Sequence, residues 1–269
     1  MTPRILINAD DFGLTDGHNL AVYRAHTEGI LNRASLLCNG QAFEEAVEIA
    51  NQLPSLGVGV HLSVNEGKPL TQAEEIPHLT RPDGEFHDDL KSLVYKWLCG
   101  KPLGAEAAIE WRAQIERAQH SGLNVSHLDS HKHVHLIPPL LEVAILLARE
   151  KQVSYLRLPL EFAALRRGPM GAALWLLALR ARRRLDLAGL EYADRFVGIG
   201  VTGKMVKNHL QAALDSACHE LTEIMVHPAL PTPSFLEFQK RYLWANRFKF
   251  EEEFEALCEC RPCLPPSRN

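Results

Sequence analysis

Short apolar runs rich in β-branched residues alternate with helix-like patterns along almost the whole chain, and no other feature restricts the fold as strongly. This alternation is typical of βαβ units, in which helices connect the strands of a parallel sheet. We therefore predict an α/β fold with about seven parallel strands. The predicted strands are Ile5–Asn8, Ala34–Cys38, Val58–Leu62, Val125–Asp129, Ser154–Leu158, Phe196–Gly200 and Thr222–Val226.

Helical patterns follow these strands. They are predicted at Gly17–Gly29, Phe43–Gln52, Pro138–Lys151, Pro169–Leu187, Lys204–Ser216 and Ser234–Leu257, with an inserted pair between Asp88 and His120. An α/β barrel takes ~200–250 residues, so we predict one domain over residues 1–269, with an insertion at about 65–120 and an atypical tail at 258–269. The first part of the insertion, Asn65 to Glu85, is either a lid over a functional site or a surface excursion.

The composition excludes several functional classes. Apolar residues make up 46% of the chain and charged residues 23%, the proportions of a folded globular protein rather than a disordered one. The net charge of −4 gives no cationic surface field, so we expect no nucleic-acid partner. The N-terminus does not resemble a signal peptide, and the apolar stretch at residues 171–179 is about half of the ~20 residues that span a bilayer. We therefore expect a cytoplasmic protein.

Six cysteines in a chain of this size are typical of free thiols rather than of a disulfide framework. Cys258, Cys260 and Cys263 form a C-x-C-x-x-C tail with the residue types of a zinc site, but no second pair of ligands stands nearby. The role of this tail is left open. The other three cysteines are predicted to be buried apolar residues, namely Cys38, Cys99 and Cys218.

Ionisable residues are concentrated where the predicted strands end, whereas the strand beginnings carry almost none. In a β/α barrel the active site is built at the carboxyl ends of the strands. We therefore expect these side chains to share one site. The residues concerned are Asp10, Asp11, His61, His127, Asp129, His131, His133, Arg157 and His227.

Asp10 and Asp11 end the first strand directly before a glycine turn. Adjacent residues at a strand end point in different directions, so one carboxylate can bind a cation while the other moves protons. The alternative is that one aspartate caps the following helix. Capping would explain one carboxylate and leave the other without a role.

Histidines provide the other ligands of the predicted cation site. His61 on its own would be interpreted as a buried structural histidine. His131, His133 and His135 repeat with a period of two, which places their imidazoles on one face of an extended chain. Two histidines and one carboxylate, with positions left for water, are typical of a catalytic cation site. We predict Asp11, His61 and His131 as ligands of one divalent ion, either Zn²⁺ or Mg²⁺.

His227 and Arg157 complete the predicted site. His227 precedes a proline at the end of a buried-looking strand, where it can act as a general acid beside a cation. The alternative is a histidine that faces solvent. Arg157 lies between two leucines, and we predict that it points into the barrel mouth and orients a carboxylate rather than lying on the surface.

Four motifs together resemble the YdjC-like carbohydrate deacetylases. They are Asn-Ala-Asp-Asp-Phe-Gly at residues 8–13, Gly-Val-His-Leu at 59–62, His-Leu-Asp-Ser-His-x-His-Val-His at 127–135 and His-Pro at 227–228. The resemblance covers most of the chain and implies a distorted (β/α) barrel of the NodB-like/YdjC-like deacetylase type. It also implies removal of an N-acetyl group from an N-acetylglucosamine-type amino sugar with the help of a divalent metal.

The resemblance implies that Asp10 is the base that takes a proton from water. Arg157 would then orient Asp10, and His227 would donate a proton to the leaving amine. Two rival interpretations stay open, another metal-dependent amide or phosphoester hydrolase and a catalytically inactive sugar-binding protein. Substrate contacts or support of the metal ligands are expected from Asn8, Asp129, His133 and His135.

Residues 156–159 (Leu-Arg-Leu-Pro), the arginine-rich helix and residues 203–205 look most like the hopanoid-biosynthesis-associated branch of this family. That resemblance implies a sugar attached to a lipid as substrate. Residues 166–184 combine a short apolar stretch with a tryptophan and flanking arginines, a pattern typical of helices on an anionic membrane surface. The alternative is an ordinary barrel helix with a solvated basic end. The sequence neither requires nor excludes a homodimer.

Overall fold

Six parallel strands form one curled sheet with β1 in its interior. The structure is a computed structural model and describes residues 5–217 and 220–262. The strands lie in the order β4-β3-β2-β1-β6-β5, and all pairs are parallel, which confirms the α/β prediction. The strands are β1 (Ile5–Phe12), β2 (Arg33–Leu36), β3 (Gly57–Leu62), β4 (Leu128–Ser130), β5 (Arg195–Val197) and β6 (Thr222–Val226).

The segment Ser154–Leu158 was predicted as the fifth of seven strands along the chain. In the described part of the chain it makes only isolated bridges. Leu156 bridges Leu128 of β4, and Tyr155 bridges Glu191, shortly before β5. The segment therefore bridges the edge strand β4 and the chain that leads into β5 without forming a regular strand, and the sheet is curled into a half-barrel. Pro159 has no N–H to donate, so a regular ladder cannot continue past Leu158.

Helices connect the strands close to the positions that the sequence predicts. They are α1 (Asp16–Thr27), α2 (Phe43–Gln52), α3 (Leu90–Leu98), α4 (Leu103–His120), α5 (Pro138–Glu150), α6 (Gly168–Ala188), α7 (Lys207–Asp215), α8 (Pro233–Arg241) and α9 (Phe250–Glu259). The helix predicted over Ser234–Leu257 is divided into α8 and α9. Between them, the rings of Tyr242, Trp244 and Phe248 pack on one another and on Phe238 and Phe250, which holds this segment outside either helix.

The turn after β1 excludes a capping role for the two aspartates. Gly13 has φ +87°, a conformation that glycine adopts without steric cost, and the Leu14 N–H donates to the carbonyl of Asp11. The N-cap of α1 is Thr15, whose hydroxyl accepts from the N–H of His18. The side chains of both aspartates are therefore available for other functions.

The first part of the insertion is anchored to α4, the last helix of the same insertion, rather than projecting freely into solvent. The buried carboxylate of Glu110 accepts from the N–H groups of Leu70 and Thr71, and Glu106 accepts from the N–H of His78. Apolar residues of the insertion, such as Ile76, are also part of the core. The segment thus has a fixed position beside the carboxyl ends of the strands.

The described cysteines, Cys38, Cys99, Cys258 and Cys260, are free thiols. Cys38 and Cys260 are buried, whereas Cys99 is exposed because it follows the last turn of α3, which corrects the prediction that it is a core residue. Cys218 and Cys263 lie outside the described residues. Among the described helices, none has the length and apolar character required to cross a membrane.

Candidate active site

The carboxyl ends of the strands bring seven of the predicted polar residues together on the floor of one cleft. All seven are buried, although every one of them is charged or polar. Part of this floor opens into a cavity of about 450 Å³. The seven residues are Asp10, Asp11, His61, Asp129, His131, Arg157 and His227.

Asp11, His61 and His131 form a compact set of possible cation ligands. Each offers one ligand atom, and these atoms lie within 4.8 Å of one another. The Asp11 Oδ1 atom is 3.0 Å from His131 Nδ1 and 3.5 Å from His61 Nε2. The predicted ligands therefore come from three separate parts of the chain to one point.

The electrostatics of this set fit a divalent cation. Burial acts to raise the pKa of Asp11, but the neighbouring His131 and His61 outweigh it and hold that pKa well below its usual range. Burial acts to lower the pKa of His131, yet Asp11 and the carboxylate of Glu66 raise it to about 9. The histidine thus takes up a proton to balance Asp11. A divalent cation would supply positive charge at the same place, so this donor set suits one.

A second acidic group stands beside this set and is already paired. Arg157 is fully buried, and its Nη1 and Nη2 atoms each donate to Asp10 at 2.7 Å. The guanidinium also contacts Asp129 at 2.7 Å and Glu223 at 2.6 Å. Asp10, His61 and Asp129 form a second such set, since their ligand atoms also lie within 4.8 Å of one another. Arg157 already neutralises the two acids of that set, so the set at Asp11 is the better candidate for a cation.

His227 lies on the other side of Asp10. Its Nε2 atom is 4.0 Å from Asp10 Oδ2, and its ring packs edge-on against Phe248. Among the described residues, nothing accepts from or donates to its buried Nδ1 atom. The backbone N–H of His227 donates to buried Glu253 at 2.6 Å, which fixes the chain at this point. His227 is therefore a buried side chain beside the acid, and the solvent-facing alternative does not hold.

Further buried residues support these groups from behind. Asp129 Oδ1 is 2.8 Å from His61 Nδ1, and its Oδ2 accepts from the hydroxyl of Ser35. Asn8 is fully buried and donates from Nδ2 to both Asp10 and Ser35. The sequence analysis missed Ser35, Glu66, Glu223 and Glu253. An acidic residue inside the apolar run of β6 was a usable signal for Glu223, since such a charge needs a buried partner.

The histidines that follow His131 do not share one face, which corrects the prediction of an extended chain. Residues His131–Leu136 form a short 3₁₀ helix that is kinked because Lys132 and His133 have positive φ. His133 lines the cleft, and burial holds its pKa well below the usual range, so its imidazole is neutral. His135 is fully buried, bonded to the Ser130 hydroxyl and the Arg157 carbonyl, and is not among the residues that line the cleft. It supports the backbone and does not reach a substrate.

Backbone strain is concentrated around this site. Five non-glycine residues of the described chain have positive φ, and four of them surround the cleft. Each such conformation costs ~1–3 kcal/mol and persists where the surrounding structure enforces it, often at functional sites. The four residues are Asp11, Glu66, Lys132 and His133.

The amino-acid sequence was compared with those of known protein families and characterised proteins. A model of the family described as YdjC-like protein matches residues 4–261. A carbohydrate deacetylase of Brevibacillus brevis is 34% identical over 228 residues, 84% of this chain and 81% of that protein. A chitooligosaccharide deacetylase of Salmonella heidelberg is 35% identical over 157 residues, 56% of this chain and 57% of that protein.

A solved structure shows the same architecture. It is the crystal structure of an Enterococcus faecalis protein that is provisionally described as a cellobiose-phosphate cleavage protein. The TM-score is 0.70 and the identity 27%, with 96% of this chain and 91% of that chain covered. The half-barrel is therefore similar over nearly its full length to a structure already known.

Proposed function

Because this chain belongs to the family of YdjC-like proteins, we propose that it is a carbohydrate deacetylase, a hydrolase that removes the acetyl group from the nitrogen of an amino sugar. The similar proteins named above, a carbohydrate deacetylase and a chitooligosaccharide deacetylase, support this reaction class. One observation carries the proposal. Two adjacent acids have different partners, since Asp11 faces two histidines while Asp10 faces Arg157 and His227.

Amide hydrolysis near neutral pH needs an activated water, stabilisation of the developing oxyanion and a proton for the leaving amine. Asp11, His61 and His131 are the residues that would hold one divalent cation. When bound, such an ion polarises a carbonyl and lowers the pKa of water. Imidazole-rich ligation favours Zn²⁺, whereas the carboxylate is also acceptable to Mg²⁺.

Asp10 would accept the proton of the attacking water. Oδ1 of its carboxylate accepts from both Arg157 and Asn8, whereas Oδ2 accepts from Arg157 alone and keeps a further lone pair for that proton. His227 would donate a proton to the departing nitrogen, because it lies beside Asp10 at the cleft wall and its ring is held by Phe248. Asp10 takes one proton from the water as its oxygen bonds to the acetyl carbon, and His227 gives one proton to the nitrogen as the C–N bond breaks. The products are acetate and the free amine.

Acetate release tests the reaction class. Purified protein loaded with Zn²⁺ or Mg²⁺ should release acetate and a free amine in equal amounts from N-acetylglucosamine oligomers. Phosphate release from sugar phosphates, with no acetate formed, would support the rival phosphoester hydrolase. Binding of the oligomer without turnover by cation-loaded protein would support an inactive sugar-binding protein.

We further propose that the sugar is attached to an apolar group, as in a hopanoid-linked amino sugar. The support comes from the wall of the cleft, a large part of which is apolar. A polyhydroxylated substrate alone would leave this wall without a partner of matching polarity. The apolar wall consists of Met170, Leu174, Ile199, Met225, Trp244 and Phe248.

A substitution in this wall separates the two kinds of substrate. Leu174→Asp should lower kcat/KM for a lipid-linked N-acetylglucosamine by tenfold or more relative to a soluble oligomer, because burying a leucine contributes ~1.5–3 kcal/mol and each 1.4 kcal/mol is tenfold. The isosteric control Leu174→Asn introduces polarity without charge and should give a smaller change in the same direction. An unchanged ratio in both variants would remove the apolar group from the substrate.

Helix α6 is the proposed contact with the membrane surface. Its buried residues include Ala178 and Leu185, but Met170, which lines the cleft, and Leu176 are each 59% exposed. Phe162, just before the helix, is 76% exposed. Arg180 and Arg183 are also exposed, and within the described residues neither makes an ion pair. Apolar side chains with adjacent arginines are typical of an interfacial helix.

Co-sedimentation with vesicles of anionic lipid tests this contact. Arg180→Gln/Arg183→Gln should weaken binding at low salt, since each basic residue near an anionic surface contributes ~1 kcal/mol. Arg184 pairs with Glu142 and is left unchanged. The control Lys207→Gln/Lys249→Gln removes the same charge near α9 and should bind like wild type. Equal binding of both variants, or no binding of wild type, would leave α6 as scaffold.

A further inference from the structure

Glu66 is a buried acid at the start of the insertion, and the mechanism above gives it no role. It is 7% exposed and has φ +95°. Its Oε2 atom accepts from Lys132 Nζ at 2.7 Å and lies 3.3 Å from His131 Nε2. The insertion therefore places one carboxylate beside Nε2 of His131, the ring nitrogen that does not face Asp11.

The two histidines of the cation site are supported in the same way. His61 turns Nε2 towards Asp11 and Nδ1 towards Asp129. His131 turns Nδ1 towards Asp11 and Nε2 towards Glu66. In both cases one ring nitrogen faces the shared carboxylate and the other faces a second, buried carboxylate. Such an outer carboxylate decides which nitrogen carries the proton and which presents its lone pair to a metal.

We propose that Glu66 is a positioning residue of the cation site, which holds His131 with Nε2 protonated so that Nδ1 is free to bind a cation beside Asp11. The inference rests on the proposed function only in requiring that Asp11, His61 and His131 bind a divalent cation.

The same contact connects the insertion to the site. Lys132, the residue after the ligand, has φ +53° and reaches both Glu66 and the carbonyl of Asp88. Glu66 and Asp88 lie near the two ends of the first part of the insertion, the segment that is bonded to α4. The segment and the loop carrying His131 are therefore held together at Lys132. A purely structural role for Glu66 would act through Lys132, whereas a positioning role acts through His131.

These two routes can be separated with cation alone and no substrate. The affinity for Co²⁺ is measured by competition with a chromogenic chelator, and the visible spectrum of bound Co²⁺ reports its coordination. Glu66→Ala should weaken Co²⁺ binding ~10–100-fold, the usual effect of removing an outer carboxylate. Glu66→Gln keeps the size of the side chain and an oxygen that accepts from Nε2–H, so its loss should be smaller.

The matched control is Lys132→Met, which removes the ion pair but leaves the Glu66 contact with His131. It should change the melting temperature without cation, while Co²⁺ affinity stays within a few-fold of wild type. Equal losses of affinity in Lys132→Met and Glu66→Ala, or wild-type affinity and spectrum in Glu66→Gln and Glu66→Ala, would overturn the proposal. If Glu66→Ala does not fold, Glu66→Gln against Lys132→Met decides. Because no sugar is used, failure of the deacetylase assay leaves this result unaffected.

Discussion

Replacing Asp10 with asparagine should abolish most turnover while leaving the bound cation in place. The amide has nearly the shape of the carboxylate and can still accept from Arg157, but it cannot take a proton from water. Loss of general-base assistance typically costs ~10²–10⁴-fold. Steady-state kcat from acetate release, together with the cation content of the same preparation, measures both parts of this prediction.

Asp11→Asn is the matched comparison for Asp10→Asn, because the two residues are neighbours and the chemical change is identical. Asp11→Asn should lose the cation, since the carboxylate between His61 and His131 becomes neutral. A near-normal kcat in Asp10→Asn would remove Asp10 from the mechanism. Loss of the cation from Asp10→Asn, with retention in Asp11→Asn, would exchange the two assignments.

His61→Ala and His131→Ala should each lose both the cation and the hydrolysis. Either change removes one of three ligands, so the effect should exceed the ~10–100-fold typical of residues that only support a ligand. Elemental analysis of the purified variants measures the stoichiometry, and a chelator should abolish wild-type activity in the same assay. Adding back Zn²⁺ or Mg²⁺ then identifies the ion that restores it.

A surface histidine provides the control for these two variants. His209 is exposed on α7, and among the described residues its side chain makes one hydrogen bond, with the carbonyl of Lys204. His209→Ala should keep full cation content and full activity. Unchanged cation stoichiometry in both His61→Ala and His131→Ala would contradict the ligand assignment.

The fold was accessible from the sequence where local patterns decide it. The helix predicted at Phe43–Gln52 has those bounds, and the one predicted at Pro138–Lys151 ends one residue earlier. Prediction was less successful for Ser154–Leu158, which makes only isolated bridges in the described part of the chain, since Pro159 has no N–H with which to continue a ladder. The break between α8 and α9 depends on aromatic packing, which periodicity does not report.

The site was predictable in its residue types and less so in its arrangement. Strand ends were sufficient to identify Asp11, His61 and His131 as neighbours. The kink at Lys132 and His133 was not predictable, since left-handed backbone at such residues is imposed by the surrounding structure. The sequence also gave no local signal for Glu66, whose partners lie on a distant part of the chain.

The central claim is that this cleft hydrolyses the N-acetyl amide of an amino sugar, and oxygen-18-labelled water tests it most directly. Cation-loaded wild type is incubated with an N-acetylglucosamine oligomer in the labelled water, and the products are analysed by mass spectrometry. We predict that one labelled oxygen appears in the released acetate and none in the sugar, which leaves as the amine. Label in a sugar hydroxyl or in phosphate, with the acetyl group still attached to nitrogen, would contradict the account.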